Sequence, residues 1–122
     1  MDWQLFDTDG EMGYILEVTL DYPPELHDDH ADLPLAPHQM NINTSHLSPY
    51  AKECLRALKD DERHRSKKLV TSFLRRENYV VHAANLSLYL SLGMKLVSVS
   101  RILQYRQSRF LKVYIEHCTS KR

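Results

Sequence analysis

The adjacent prolines Pro23 and Pro24 close the alternating stretch GYILEVTLDY, and no other feature constrains the fold as much. Residues Gly13 to Tyr22 carry apolar β-formers, Ile15 and Val18 among them, at a period that predicts a strand. Proline offers no N–H to a ladder, so two in succession must end it. Proline also suits a first helical position, which predicts a short helical turn over PELHDDH. The following ADLPLAPHQMNINTSH has two prolines and no steady period, and it reads as an irregular connection.

Further elements follow from caps and periodicity. Ser48-Pro49 predicts a helix start, with Tyr50, Cys54, Leu55 and Leu58 as its apolar stripe. KDDERHRSKK reads as a solvated turn. Leu69–Leu74 and Tyr79–His82, separated by a polar RREN stretch, read as a β-hairpin. Asn85 is the expected cap of a short helix, LSLYLSL, closed by Gly93. Met94 to Tyr105 is again β-rich, and Ser108 is the expected cap of a last helix bearing Phe110, Tyr114, Ile115 and Cys118 on its apolar side. This order predicts an α+β fold, with short helices packed on a small mixed or antiparallel sheet. Residues 1–12 form an acidic lead-in, and 13–122 a single unit.

The length of 122 residues allows one domain or a piece of a larger one. A hydrophobic content of 43% with only three glycines predicts an ordered chain. The acidic opening MDWQLFDTDG lacks a signal-peptide pattern, and no apolar run approaches the ~20 residues of a membrane span. An intracellular location without a membrane partner is therefore expected. Cys54 and Cys118 have no metal spacing and read as reduced, at least partly buried thiols.

The zero net charge conceals a polarity. Residues 1–62 hold 14 Asp/Glu against 3 Lys/Arg, a net −11, and residues 63–122 hold 2 against 13, a net +11. Either the basic half meets a polyanion, or the two halves neutralise each other within the fold.

Several residue groups invite a chemical reading. Asp7-Thr8-Asp9 has the letters of a two-metal carboxylate pair, but such a pair needs flanking hydrophobic strands and a partner Asp. Gly10-Glu11 follow at once, so a turn feeding the strand is expected. An EF-hand loop would need glycine where Met12 stands. Glu25, His27, Asp28, Asp29 and His30, with His38, offer zinc-ligand types on a proline-broken segment, where capping and solvation are the competing reading. Nothing resembles a nucleophile elbow or a phosphate-cradling glycine loop. Arg63, Arg65, Lys67, Lys68, Arg75 and Arg76 flank the expected hairpin. Arg101, Arg106, Arg109 and Lys112 interleave with Tyr105 and Phe110. Positive groups on one surface suit phosphates, and aromatics suit unpaired bases. The alternative is that Tyr105 and Phe110 are core and the cations are solvated.

Four ordered blocks then come together: GYILEVTLDYPPELHDDHADLPLAP, HLSPYAKECL, KKLVTSFLRRENYVVHAANLSLYLSLGMKL and RILQYRQSRFLKVYIEHCTSKR. They resemble a segment of protein-primed family B DNA polymerases of the organellar, viral and mobile-element type, over nearly all of Gly13 to Arg122. The resemblance implies a segment after the strand-end catalytic Asp with its Leu-Tyr, and before the fingers helix with its Lys, Asn and Tyr-Gly. It also implies palm framework plus an insertion that contacts DNA and a priming terminal protein. Mg²⁺ and dNTP belong to the parent polymerase, no cofactor to this segment, and no catalytic residue lies within it. The remainder of the polymerase would be a partner, and the segment would be inactive alone. Thr19 stands where relatives have Asp, Arg109-Phe110 where they have Pro-Trp or Ala-Trp, and Ser100 where they have His. These departures imply a diverged copy. A domesticated nucleic-acid- or protein-binding module is the alternative.

Overall fold

In chain order the protein forms β1 (Met12–Asp21), β2 (His38–Asn41), α1 (Pro49–Leu58), β3 (Lys67–Val70), β4 (Arg76–His82), α2 (Ala83–Ser91), β5 (Lys95–Arg106) and α3 (Lys112–Ser120). Short 3-10 turns lie at Trp3–Leu5, Pro24–Leu26 and Thr44–His46. The computed structural model describes residues 2–58 and 66–122, so most of the expected KDDERHRSKK turn lies outside the described residues. The class is α+β, as the element order predicts, and both sheets are antiparallel.

The proline-terminated strand β1 is the centre of a three-stranded sheet of order β4-β1-β5. Its alternate residues Leu16, Val18 and Leu20 have 0% exposure. They pack with Val81 of β4, with Ala83 and Leu86 of α2, and with Trp3 and Met94. Trp3 belongs to the acidic lead-in, which therefore contributes to the core. Its ring meets Tyr14 edge-on at 5.4 Å between centroids. Each fully buried aliphatic side chain here stabilises the fold by about 1.5–3 kcal/mol. The opposite face of the sheet, with Ile15, Glu17 and Thr19 on β1, carries Val80 and Leu103 exposed.

α2 begins two residues before the expected cap. His82 holds an extended conformation (φ −71°, ψ 143°), and its Nδ1 accepts from the Ala84 N–H at 3.1 Å. An imidazole replaces the amide of Asn85 in that role. The helix closes as expected at Gly93, whose φ of 109° disfavours any side chain. A Cβ there would also lie 2.8 Å from Cδ1 of Leu26. α1 starts at Pro49 as expected, with the Ala51 N–H donating to Ser48 Oγ at 3.1 Å.

Several expectations need correction. Leu69–Leu74 and Tyr79–His82 do not form a hairpin. Lys67–Val70 pairs with His38–Asn41, so a short strand lies inside the stretch expected to be irregular. The reason is local: the carbonyls of Ser72 and Leu74 accept from the Arg76 guanidinium, which bends residues 71–75 away from any ladder. The final helix begins at Lys112, not at Ser108, and Leu111 in its cap position makes no side-chain cap bond. The apolar side is uncovered: Phe110 is 81% exposed, Tyr114 and Ile115 are exposed too, and Cys118, expected to be at least partly buried, is exposed with them. The stripe on α1 is also turned to solvent at Tyr50 and Leu58.

Candidate nucleic-acid interface

The basic residues named from the sequence separate into three groups. Arg75, Arg101 and Arg109 each meet a carboxylate from the acidic half. Arg75 Nε lies 3.6 Å from Asp21 Oδ1, Arg101 Nε lies 3.4 Å from Glu17 Oε2, and Arg109 pairs with Asp9. Lys112 pairs within its own helix with Glu116 at 3.9 Å. All four pairs are at least partly solvated and contribute about 0–1 kcal/mol each. At these three cross-chain pairs the −11 and +11 halves neutralise each other.

Lys67, Lys68 and Arg106 form the second group. They are exposed, and none makes an ion pair among the described residues. Lys67 and Lys68 stand on β3 opposite Asn41 and Met40. Arg106 ends β5 opposite Met12. Arg63 and Arg65 lie outside the described residues. Strand β5 extends over roughly 35 Å at about 3.3 Å per residue, so Lys95 and Arg106 mark opposite ends of the sheet. Lys67 and Lys68 thus stand on the two-stranded sheet and Arg106 on the three-stranded one.

Arg76 is the third group, and it corrects the sequence reading. It is 2% exposed and cannot reach a phosphate. Its Nε donates to Ala36 O at 3.2 Å, and Nη2 donates to Leu35 O at 3.1 Å and also to Ser72 O. Nη1 donates to Leu74 O. The guanidinium also lies 5.8 Å from the centroid of the Tyr22 ring. Burial lowers its pKa, and the neighbouring phenols of Tyr79, Tyr22 and Tyr89 oppose that effect, but a guanidinium stays charged in any case. Four carbonyl dipoles and a ring face stand where a carboxylate would be expected.

Arg76 thereby clamps residues 35–36, where Ala36 holds a φ of 54° that a non-glycine residue seldom adopts. Two tyrosines complete the clamp. Tyr22 Oη accepts from the Leu35 N–H at 3.2 Å and bonds His30 Nδ1. Tyr79 Oη donates to Pro37 O at 3.0 Å. Burial pushes the Tyr79 phenol up to about 12, with Tyr89 adding and Arg76 opposing, so it stays a donor across the ordinary pH range.

Of the residues considered for metal, His27, His30 and Asp7 are engaged elsewhere. The His27 ring stacks on Phe73 with centroids 4.3 Å apart, and His30 bonds Tyr22. Asp7 Oδ1 accepts from the Asp9 N–H at 2.9 Å in a local turn, which Gln107 clasps by donating to Thr8 O at 3.0 Å and Gly10 O at 2.6 Å. Among the described residues no three His, Cys, Asp or Glu side chains converge on a metal-sized site. Thr19 sits within the sheet opposite Ser98.

His38 sits beside this clamp with Nδ1 buried and without a hydrogen-bond partner. Burial first, then the Arg76 charge, lowers its pKa below the ordinary 6.5, against an opposing backbone hydrogen bond at Ala36. Because the folded pKa lies below the unfolded one, this site stabilises the fold fully above pH 6.5. That contribution is lost as pH falls through the folded value. The melting temperature is expected to fall between pH 7 and 5, and His38→Gln is expected to flatten that slope. Thermal melts across the range check it.

Sequence reasoning also missed a contact that spans the sheet. Tyr105 Oη lies 2.7 Å from His82 Nε2, so β5 reaches β4 across the central strand. With Nδ1 accepting from Ala84, neutral His82 carries its proton on Nε2 and donates it to Tyr105. The crossing occurs at Gly13, the cross-strand partner of Tyr105. A Cβ there would lie 2.5 Å from Tyr105 Cε2 and 2.7 Å from Gln107 Oε1. The glycine at the head of a β-rich stretch was the available signal.

No family model, curated protein or solved structure matches this chain. No helix among the described residues is long and apolar enough to cross a membrane.

Proposed function

We propose that this chain is a framework segment of a protein-primed family B DNA polymerase, inactive alone, whose exposed cations contact DNA and whose uncovered surfaces meet a priming protein or the rest of the enzyme. In this reading Mg²⁺ and dNTP act elsewhere in the parent polymerase, and the location is intracellular. One observation supports the framework role above all. Blocks quoted for the resemblance meet at a single clamp, where Tyr22, Leu35, Ala36, Pro37, Arg76 and Tyr79 bond one another. The side chains of Tyr22, Arg76 and Tyr79 are spent on holding the backbone of residues 35–37, which is what framework residues do.

DNA contact then falls to Lys67, Lys68 and Arg106, the candidate cations that make no ion pair among the described residues, with Arg101 and Phe110 exposed nearby in sequence. Binding of a single-stranded oligonucleotide, measured by anisotropy against salt, tests this. Changing Lys67, Lys68 and Arg106 together to Ala is expected to reduce the slope of log K against log salt by about 2, at about 0.7 per lost phosphate contact. A flat salt response, or an unchanged slope in the variant, would remove the DNA role.

The uncovered apolar side of α3 favours a second reading, a domesticated nucleic-acid- or protein-binding module without enzymatic activity. The neighbouring coding sequence separates the two. A polymerase predicts a Leu-Tyr motif upstream and a Tyr-Gly fingers motif downstream. An intact, independently promoted frame without either supports the module.

A further inference from the structure

One sheet face and one helix of this chain lack a covering layer. α2 and the Trp3 turn cover the core side of the three-stranded sheet. On the opposite face Val80 is 63% exposed and Leu103 is 59% exposed. Together with Ile15, Glu17 and Arg101 they line a depression of about 360 Å³. α3 has no buried residue, and Phe110, Leu111, Tyr114 and Ile115 stand in water. A helix of nine residues is marginal without packing, so α3 requires a surface to rest on.

Its own sheet cannot serve. The Gln107 N–H donates to Glu11 O at 2.9 Å, the Gln107 side chain clasps the Thr8–Gly10 turn, and Arg109 pairs with Asp9. Residues 107–109 are thereby tied to the turn ahead of β1. Only Phe110 and Leu111 remain before the helix, too few to carry it back over the face that β5 helps to form. The same face on a second copy is under no such restraint. Area favours that copy. One α3 on one sheet face buries about 700 Å² of these apolar side chains, at ~150–250 Å² for a whole aromatic. A stable interface needs about 1,200 Å² or more, and a two-fold pair that makes the contact twice reaches about 1,400 Å². The placement also fits, because Leu103 lies about 10 Å from the end of β5, on the side from which α3 departs.

We infer that two copies of the chain form a two-fold dimer in which α3 of each lies across the open sheet face of the other. Phe110 and Tyr114 enter the depression between Val80 and Leu103. Lys112 and Glu116, paired with each other at 3.9 Å, keep to the outer side of the helix in water. The inference goes beyond both functional readings, neither of which names a second copy. It leaves Lys67, Lys68 and Arg106 to DNA, and the exposed stripe of α1 to any other protein partner.

Sedimentation equilibrium of the full chain tests this, in reducing buffer so that no Cys118 disulfide contributes. A monomer–dimer equilibrium is expected. Y114D should weaken it about tenfold or more, the effect of losing an aromatic anchor at each contact. V80D should do the same from the sheet side, and L103D repeats that arm on β5 in case the charge at Val80 disturbs β4. All three replace exposed side chains, so circular dichroism should show the sheet retained. Three results would overturn the inference. A chain that stays monomeric at its highest soluble concentration leaves α3 to a different protein. A dimer weakened by Y114D but not by V80D or L103D sets helix against helix. A dimer indifferent to Y114D does not use α3.

Discussion

Arg76→Met is expected to lower the free energy of unfolding by about 3–5 kcal/mol, the largest loss from any single cation in this chain. The methionine fills similar volume, so little of the effect comes from a cavity. The loss arises at the carbonyls of Leu35, Ala36, Ser72 and Leu74, which keep their places but lose their donor. A buried carbonyl without a partner costs about 1–3 kcal/mol, and partial access of water to Leu35 and Leu74 offsets part of the sum. Arg76→Lys should recover little, because an ammonium cannot serve four acceptors arranged around a planar fork. Arg75→Met is the control. Its guanidinium is half exposed and 3.6 Å from Asp21, so a change within about 0.5 kcal/mol is expected. Urea denaturation of the three variants checks the contrast. Near-equal losses at positions 75 and 76 would show that the clamp does not carry the fold.

Gly13→Val is expected to cost about 3 kcal/mol, from overpacking against Tyr105 and the loss of its bond to His82. The new side chain must displace the Tyr105 ring, because a Cβ alone would already lie 2.5 Å from it. Displacement frees His82, which also caps α2 through Ala84, so the damage reaches the helix. Tyr105→Ala in the same chain should recover most of the overpacking loss, while Tyr105→Phe in the parent should cost only about 1 kcal/mol for one hydrogen bond. Denaturation of the single and double variants measures the coupling. A double variant no more stable than Gly13→Val alone would rule out the ring as the obstacle.

Local signals read correctly wherever the chain obeyed a simple period. β1 was legible because Leu16, Val18 and Leu20 alternate cleanly and Pro23-Pro24 stop the ladder. Ser48 and Gly93 were legible because capping and closure depend on one residue each. Arg76 was not, and the cause is one residue of backbone. Tyr79 and Val81 turn toward the core, and strict alternation would carry Glu77 inward and Arg76 out. The ladder slips between Val18 and Leu20, where Asn78 adopts a φ of 52°, so Leu20 faces Arg76 instead. Asparagine tolerates that conformation, but its presence alone does not announce a bulge. The expected hairpin was misread for the same reason, since it requires residues 71–75 to extend past a side chain that they instead surround.

The candidate site was legible only as chemistry, not as place. The lysines and arginines named from the sequence include one core residue, three that are paired across the chain and three without ion pairs. Sequence carries no record of that division, because each pair joins positions far apart. The separation between Arg109 and Asp9 is 100 residues.

That arrangement also sets when the molecule can fold. The central strand is made first, but both of its neighbours come from residues 76–106. While the middle of the chain is being made, β1 has two bare edges, and Asp9, Glu17 and Asp21 await arginines not yet added. At ~5–20 residues per second, the stretch from the end of β1 to the end of β5 takes several seconds to make. A nascent chain stalled near residue 75 would hold β1 without either of its sheet neighbours, and completion of this sheet must follow release of β5 from the ribosome.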